Sequence, residues 1–156
     1  MPVESAGAAA SDPFCSDMAM ADTLICRTRH FNLLYDIRPV LPGHVLIVPI
    51  RHVAGFSELT PGEFEDLRKL LKRITAVMSR EYASKGSYDV IAQVGEYSGG
   101  SIRHLHLHFV PRGRDDKYRM RDEALYENIE RRTRCLGISF VRAEVKRLRK
   151  LFRCAP

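Results

Sequence analysis

The chain has 156 residues, 45% of them hydrophobic and 28% charged. This is the makeup of a soluble globular domain, and it excludes a disordered or fibrous protein. No run approaches 18 apolar residues, which excludes a membrane-spanning helix. The net charge of +6 is unevenly placed: residues 112–153 carry 14 Lys/Arg against 7 Asp/Glu, and residues 1–111 carry 11 against 12. A basic C-terminal segment of this kind favours anionic partners, nucleotide phosphates or nucleic acid among them.

Residues 1–12 are rich in Ala, Ser and Gly and read as a flexible tail. They lack the basic start and apolar run of a secretory signal, so a cytoplasmic or nuclear protein is expected. Residues 13–156 read as one domain. Cys15, Cys26, Cys135 and Cys154 show no CxxC spacing and read as reduced thiols. His30–Ile37 and His44–Pro49 are apolar-rich runs on either side of Pro42-Gly43, the pattern of antiparallel neighbours. Thr60-Pro61-Gly62-Glu63 is a capping box with Pro at the first helical position, and it opens a helix over about 61–84. Phe64, Leu67, Leu71, Ile74, Met78 and Tyr82 form its apolar face. Tyr88–Val94 and Ile102–Val110 read as further strands, and short helices are expected near 122–132 and 141–152. The predicted fold class is α+β, an antiparallel sheet of about five strands with one long helix.

The chemistry concentrates in His104-Leu-His106-Leu-His108-Phe-Val. Extended backbone alternates its side chains, so the three histidines share one face and Leu105, Leu107 and Phe109 the other. Three of the six histidines in the chain fall within five positions, which core filling does not explain. Imidazoles in such an array serve either as metal ligands or as nucleophile and hydrogen-bond donors on a phosphate. The loop Gly95–Ser101 ahead of them, made mostly of small residues, has backbone N–H groups suited to an anion and favours phosphate chemistry.

The array resembles the signature of the histidine triad superfamily of nucleotide hydrolases and transferases. Leu41-Pro-Gly-His44-Val-Leu-Ile-Val-Pro resembles a second family segment, and Val110-Pro-Arg112 with Asp122-Glu-Ala-Leu-Tyr126-Glu resembles the fragile-histidine-triad branch of dinucleoside triphosphate hydrolases. The resemblance runs from about Phe31 to Ile129. It implies His106 as the nucleophile, His108 as the residue that assists the leaving group, and His104 and His44 as orienting groups. It also implies Asp36 at the ribose, Gln93 at phosphate, and Gly99, Gly100, Ser101 and Ile102 as the phosphate loop. Gly100 departs from the family's usual glutamine at this place.

The activity so implied is hydrolysis of dinucleoside polyphosphates, diadenosine triphosphate above all, through a nucleotidyl-histidine. The alternatives are a nucleoside phosphoramidase, an enzyme removing adenylate from nucleic-acid ends, and a slow nucleotide-binding signalling module. A homodimer is implied, paired through the long helix and an edge strand. No tightly bound cofactor or metal is expected, and magnesium would come only with the substrate's phosphates. Cys15 and Cys26 fall near the zinc cysteines of some relatives, but at the wrong spacing. His30 and His52 read as structural or exposed, and Arg112 and Arg114 as either phosphate contacts or solvated residues.

Overall fold

The computed structural model describes residues 12–98, 102–118, 121–131 and 137–153. A short 3-10 turn (Pro13–Cys15) and helix α1 (Asp17–Met20) lead into β1 (Leu24–Arg27), β2 (Phe31–Tyr35) and β3 (Val45–Pro49). Helix α2 (Pro61–Glu81) follows, then β4 (Tyr88–Ala92), β5 (Leu107–Pro111), α3 (Asp122–Arg131) and α4 (Ile138–Phe152). The five strands form one antiparallel sheet in the order β1-β2-β3-β5-β4. The α+β expectation holds. The sequence reading passed over β1, a four-residue strand too short to show a period.

The capping box forms as its residues dictate: the Thr60 hydroxyl accepts from Glu63 N–H, and Glu63 Oε2 accepts from Thr60 N–H at 2.7 Å. Glu63 also takes both arms of Arg51, at 3.0 and 2.8 Å, and this ties the chain just beyond β3 to the start of α2. The helix buries Leu67, Leu70, Ile74, Val77 and Met78, a face turned slightly from the expected one. Glu63 is buried beside Arg51, while Phe64 stays 46% exposed.

Strand alternation sorts the sheet into two faces. Phe31, Leu33, Tyr35, Val45, Ile47, Leu107 and Phe109 meet α2 and the Val141, Val145, Leu148 and Phe152 side of α4. The opposite face carries two smaller clusters. Phe14, Met20, Leu34 and Val48 form one, and Leu41, Val110, Tyr118, Leu125 and Ile129 the other. The histidines lie on this second face.

Two further expectations change here. Asp12 does not belong to a tail: it is 8% exposed and hydrogen-bonded, while residues 1–11 lie outside the described residues. Cys26 is disulfide-bonded, and its partner lies outside the described residues; Cys15 is a free thiol.

Candidate active site

Strand β5 starts at Leu107, so His104 and His106 sit in irregular backbone just ahead of it. The β3–β5 register (Ile47↔Leu107) would next set Leu105 opposite Pro49. Pro49 has no N–H with which to continue the ladder, and Leu105 N–H turns to the Val53 carbonyl at 2.7 Å. The alternation nevertheless holds: Leu105 and Leu107 enter the core. His104, His106 and His108 are 1%, 4% and 4% exposed, covered rather than open to a cleft. The ring of Phe14 covers two of them, 5.4 Å from the His106 ring and 5.8 Å from that of His104.

Hydrogen bonds assign the protons. His106 Nδ1 lies 2.8 Å from the His104 carbonyl, which can only accept. Nδ1 therefore carries the proton, and the lone pair resides on Nε2. At His44, Val40 N–H donates to Nδ1 at 3.3 Å, so Nε2 is protonated and donates to His108 Nδ1 at 2.9 Å. His108 then holds its own proton on Nε2. Asp36 Oδ2 lies 3.5 Å from His44 Nε2 and 3.8 Å from His108 Nδ1, while its Oδ1 accepts from Arg38 N–H at 2.7 Å. Asp36 is thus both a turn former and a carboxylate against the histidine pair.

The structure brings His44, His104, His106, His108 and Asp36 together. Gln93 follows β4 and is half-buried. Ile102 packs with the Phe14 cluster, so its side chain has an apolar role. Gly99, Gly100 and Ser101 lie outside the described residues. Arg112 is part of the scaffold: it pairs with Asp89 and with Asp116 (2.8 Å) and donates to the Tyr118 carbonyl at 2.9 Å. These partners, by hydrogen bonding and charge, raise its pKa against the opposing effect of burial.

Sequence reasoning missed a second constellation. Asp12 Oδ2 lies 2.7 Å from His104 Nδ1, 2.9 Å from His52 Nδ1 and 3.3 Å from Cys15 Sγ. The four ligand-type atoms lie within 4.8 Å of one another. Cys15 therefore meets Asp12 and two histidines, not Cys26. Burial works to raise the Asp12 carboxyl, but hydrogen bonds from Phe14 N–H, His104 and Cys15 outweigh it and hold the group below its ordinary value. Burial, reinforced by Asp12, pushes the Cys15 thiol up. The signal in the sequence was the Asp12-x-x-Cys15 spacing. The set Asp36, His44 and His108 also lies within metal-ligand range, and a His44 Nε2–H to His108 Nδ1 hydrogen bond joins its two imidazoles.

The HIT domain family model matches residues 19–115. A bis(5'-adenosyl)-triphosphatase of Dictyostelium discoideum is 34% identical over 119 residues, covering 76% of this chain and 78% of that protein. A bis(5'-adenosyl)-triphosphatase of Saccharomyces cerevisiae is 34% identical over 100 residues, 64% of this chain, which spans 48% of the yeast protein. Among solved structures, the C. elegans NitFhit protein superposes with a TM-score of 0.69 at 25% identity, over 84% of this chain and 27% of that one. A Zn-bound histidine triad family protein of Mycobacterium smegmatis gives 0.68 at 22% identity, over 93% of this chain and 95% of that one. With its triad running into β5, an interior strand of a five-stranded sheet, and the family model matching well over half its length, this chain belongs to the HIT domain family.

Proposed function

We propose that this protein hydrolyses dinucleoside polyphosphates, diadenosine triphosphate foremost, through a nucleotidyl-histidine at His106. The observation that carries the reading is the proton arrangement: Nδ1–H of His106 is held by the His104 carbonyl, which leaves the lone pair on Nε2. In the first step Nε2 attacks the α-phosphorus, and the bond to the departing phosphate oxygen breaks. The ring becomes cationic, and the His104 carbonyl bonded at Nδ1 stabilises that charge as it develops. His108, its Nδ1 occupied by His44, directs its Nε2–H at the departing oxygen. In the second step water attacks the phosphorus, the P–N bond breaks, and its electron pair returns to Nε2; the water proton leaves with the mononucleotide or to solvent. The relatives named bis(5'-adenosyl)-triphosphatase support the substrate class. Magnesium would enter with the polyphosphate rather than as a resident ion.

The test is a substrate panel with His106→Asn beside the parent protein. The parent should favour diadenosine triphosphate over diadenosine tetraphosphate, an adenosine phosphoramidate and adenylated DNA, and a quench that avoids acid should show one added nucleotidyl group. His106→Asn should lose several orders of magnitude in turnover and keep nucleotide binding. Near-normal turnover by the variant overturns the assignment, and a preference for adenylated DNA replaces the substrate.

The protein is further proposed to work as a homodimer joined through β4 and α2. Strand β4 is a sheet edge with Tyr88 and Val90 about two-fifths exposed, and Phe64 of α2 is also exposed. An uncovered apolar edge strand invites pairing. Val90→Lys should shift the sedimenting species to a monomer. Nucleic acid has less support: Arg112, Arg142, Arg147 and Arg149 of the basic segment bind Asp89, Asp22, Glu144 and backbone carbonyls within the fold. Among the described residues no helix is long and apolar enough to cross a membrane.

A further inference from the structure

We propose that Tyr82, held by Glu144 and Arg147 of α4, is a positioning residue for the triad. It fixes Gly43, and through Gly43 the His44 imidazole that sets the proton of His108. The role given to His108 rests on the hydrolytic reading above.

Tyr82 is the C-cap of α2 and packs against the main core. Its hydroxyl donates to Glu144 Oε2 at 2.8 Å and accepts from Arg147 at 2.9 Å. Arg147 also donates to Glu144 at 3.0 and 3.1 Å, and to Glu81 in the last turn of α2 at 2.8 Å. The directions are fixed, because a guanidinium only donates and a carboxylate only accepts. Burial works to raise the Glu144 carboxyl, but hydrogen bonds from Arg147 and Tyr82 outweigh it and hold the group below its ordinary value. Burial pushes the Tyr82 phenol up, so the hydroxyl keeps the proton it donates. The far end of the ring is thereby tethered by charge-assisted bonds.

The near edge of the same ring stands against Gly43. A Cβ on Gly43 would come 2.6 and 2.7 Å from Tyr82 Cε2 and Cδ2, and 3.0 Å from Pro111 Cγ. On another side Gly43 N–H donates to the Tyr35 hydroxyl at 3.3 Å. Gly43 is therefore held between two tyrosine side chains, and His44 follows it directly. His44 Nδ1 accepts from Val40 N–H at 3.3 Å, the long end for such a bond, so a small shift of the turn breaks this contact first. His44 can then carry its proton on Nδ1, and its Nε2 no longer donates to His108. A satisfied buried polar network imposes one arrangement on what it touches. Here that arrangement passes from α4, on one face of the sheet, to the histidines on the other.

Imidazole tautomers are read in isotope-labelled protein from long-range proton–nitrogen spectra, and kcat and KM from diadenosine triphosphate hydrolysis. The parent should show His44 and His108 each as a single Nε2–H tautomer. Tyr82→Leu, which removes ring and tether, should average the tautomers of both. It should also lower kcat about ten-fold with KM unchanged, the scale of coupling carried by residues that touch no ligand. Tyr82→Phe, which keeps the ring and loses the tether, should fall between parent and Tyr82→Leu. Should Tyr82→Leu fail to fold, Glu144→Ala and Arg147→Ala carry the test, since these side chains are 18% and 40% exposed. Each should behave as Tyr82→Phe does. Arg149→Ala is the control: it unties α4 from the Leu24 and Ala21 carbonyls and should lower stability alone. Unchanged tautomers in Tyr82→Leu, or in both α4 variants where that one does not fold, overturn the proposal whatever the melting temperatures do. So does an equal loss of kcat in Arg149→Ala. A parent without hydrolase activity overturns the hydrolytic reading instead, and the tautomers still decide what Tyr82 positions.

Discussion

His44 Nε2 lies 2.9 Å from His108 Nδ1, and Val40 N–H on the far nitrogen of His44 fixes which ring donates. One backbone amide thereby determines where the proton of His108 points. His44→Asn removes that donor, frees the His108 ring to take the other tautomer, and should lower kcat on diadenosine triphosphate about 100-fold, the scale of a small misplacement at a reacting centre. KM should change little. A loss confined to KM would show that His44 serves binding instead.

Gly43 connects the β2–β3 turn to His44 with φ of +83°. A Cβ there would come 2.6 Å from Tyr82 Cε2, and the Tyr82 hydroxyl is held by Glu144 and Arg147. Gly43→Ala carries both a left-handed backbone and an overpacked contact, for a loss of about 2–4 kcal/mol. Denaturant unfolding of the variant checks the value; an unchanged midpoint would mean that the turn relaxes freely.

Arg112→Gln separates scaffold from substrate contact. Arg112 is 13% exposed and Asp116 7%, so Asp116 loses its ion-pair partner in a largely buried place. The cost should be about 2–4 kcal/mol, below that of a fully buried pair because Asp89 is partly exposed. KM for diadenosine triphosphate should not move. A raised KM with unchanged stability would return Arg112 to the phosphate.

Stability should depend on pH at both extremes. The Arg51 guanidinium, with the Thr60 amide, holds the Glu63 carboxyl at about 2, against 4.5 ordinarily. The stabilisation is complete above 4.5 and is lost as pH falls from there towards 2. Burial raises the Tyr35 phenol to about 12 from 10, so its contribution is complete below 10 and is lost as pH rises towards 12. Unfolding midpoints across pH test both, and Arg51→Ala should flatten the acid limb. An acid limb of the same steepness in that variant would place the protons elsewhere.

The local signals were legible because local rules produce them. The capping box at Thr60 and Glu63 needs only residues three apart, and the triad needs only the two-residue alternation of extended backbone. Together they located the start of α2 and put the three triad histidines on one face. Phe64 and β1 escaped, since burial of one helix flank and pairing of a four-residue strand depend on what packs there.

By itself the sequence determined the α+β class and the triad, and the family resemblance added His44 as an orienting group and Asp36 at the ribose. Tertiary structure decided the protons, because Val40 N–H and the His104 carbonyl are backbone groups whose aim depends on the folded path. It also decided that Asp12 meets His104 across 92 residues and His52 across 40. No periodicity encodes such a meeting: it arises because the Phe14 ring needs an apolar bed on the second face of the sheet, and in taking it carries Asp12 and Cys15 to the histidines.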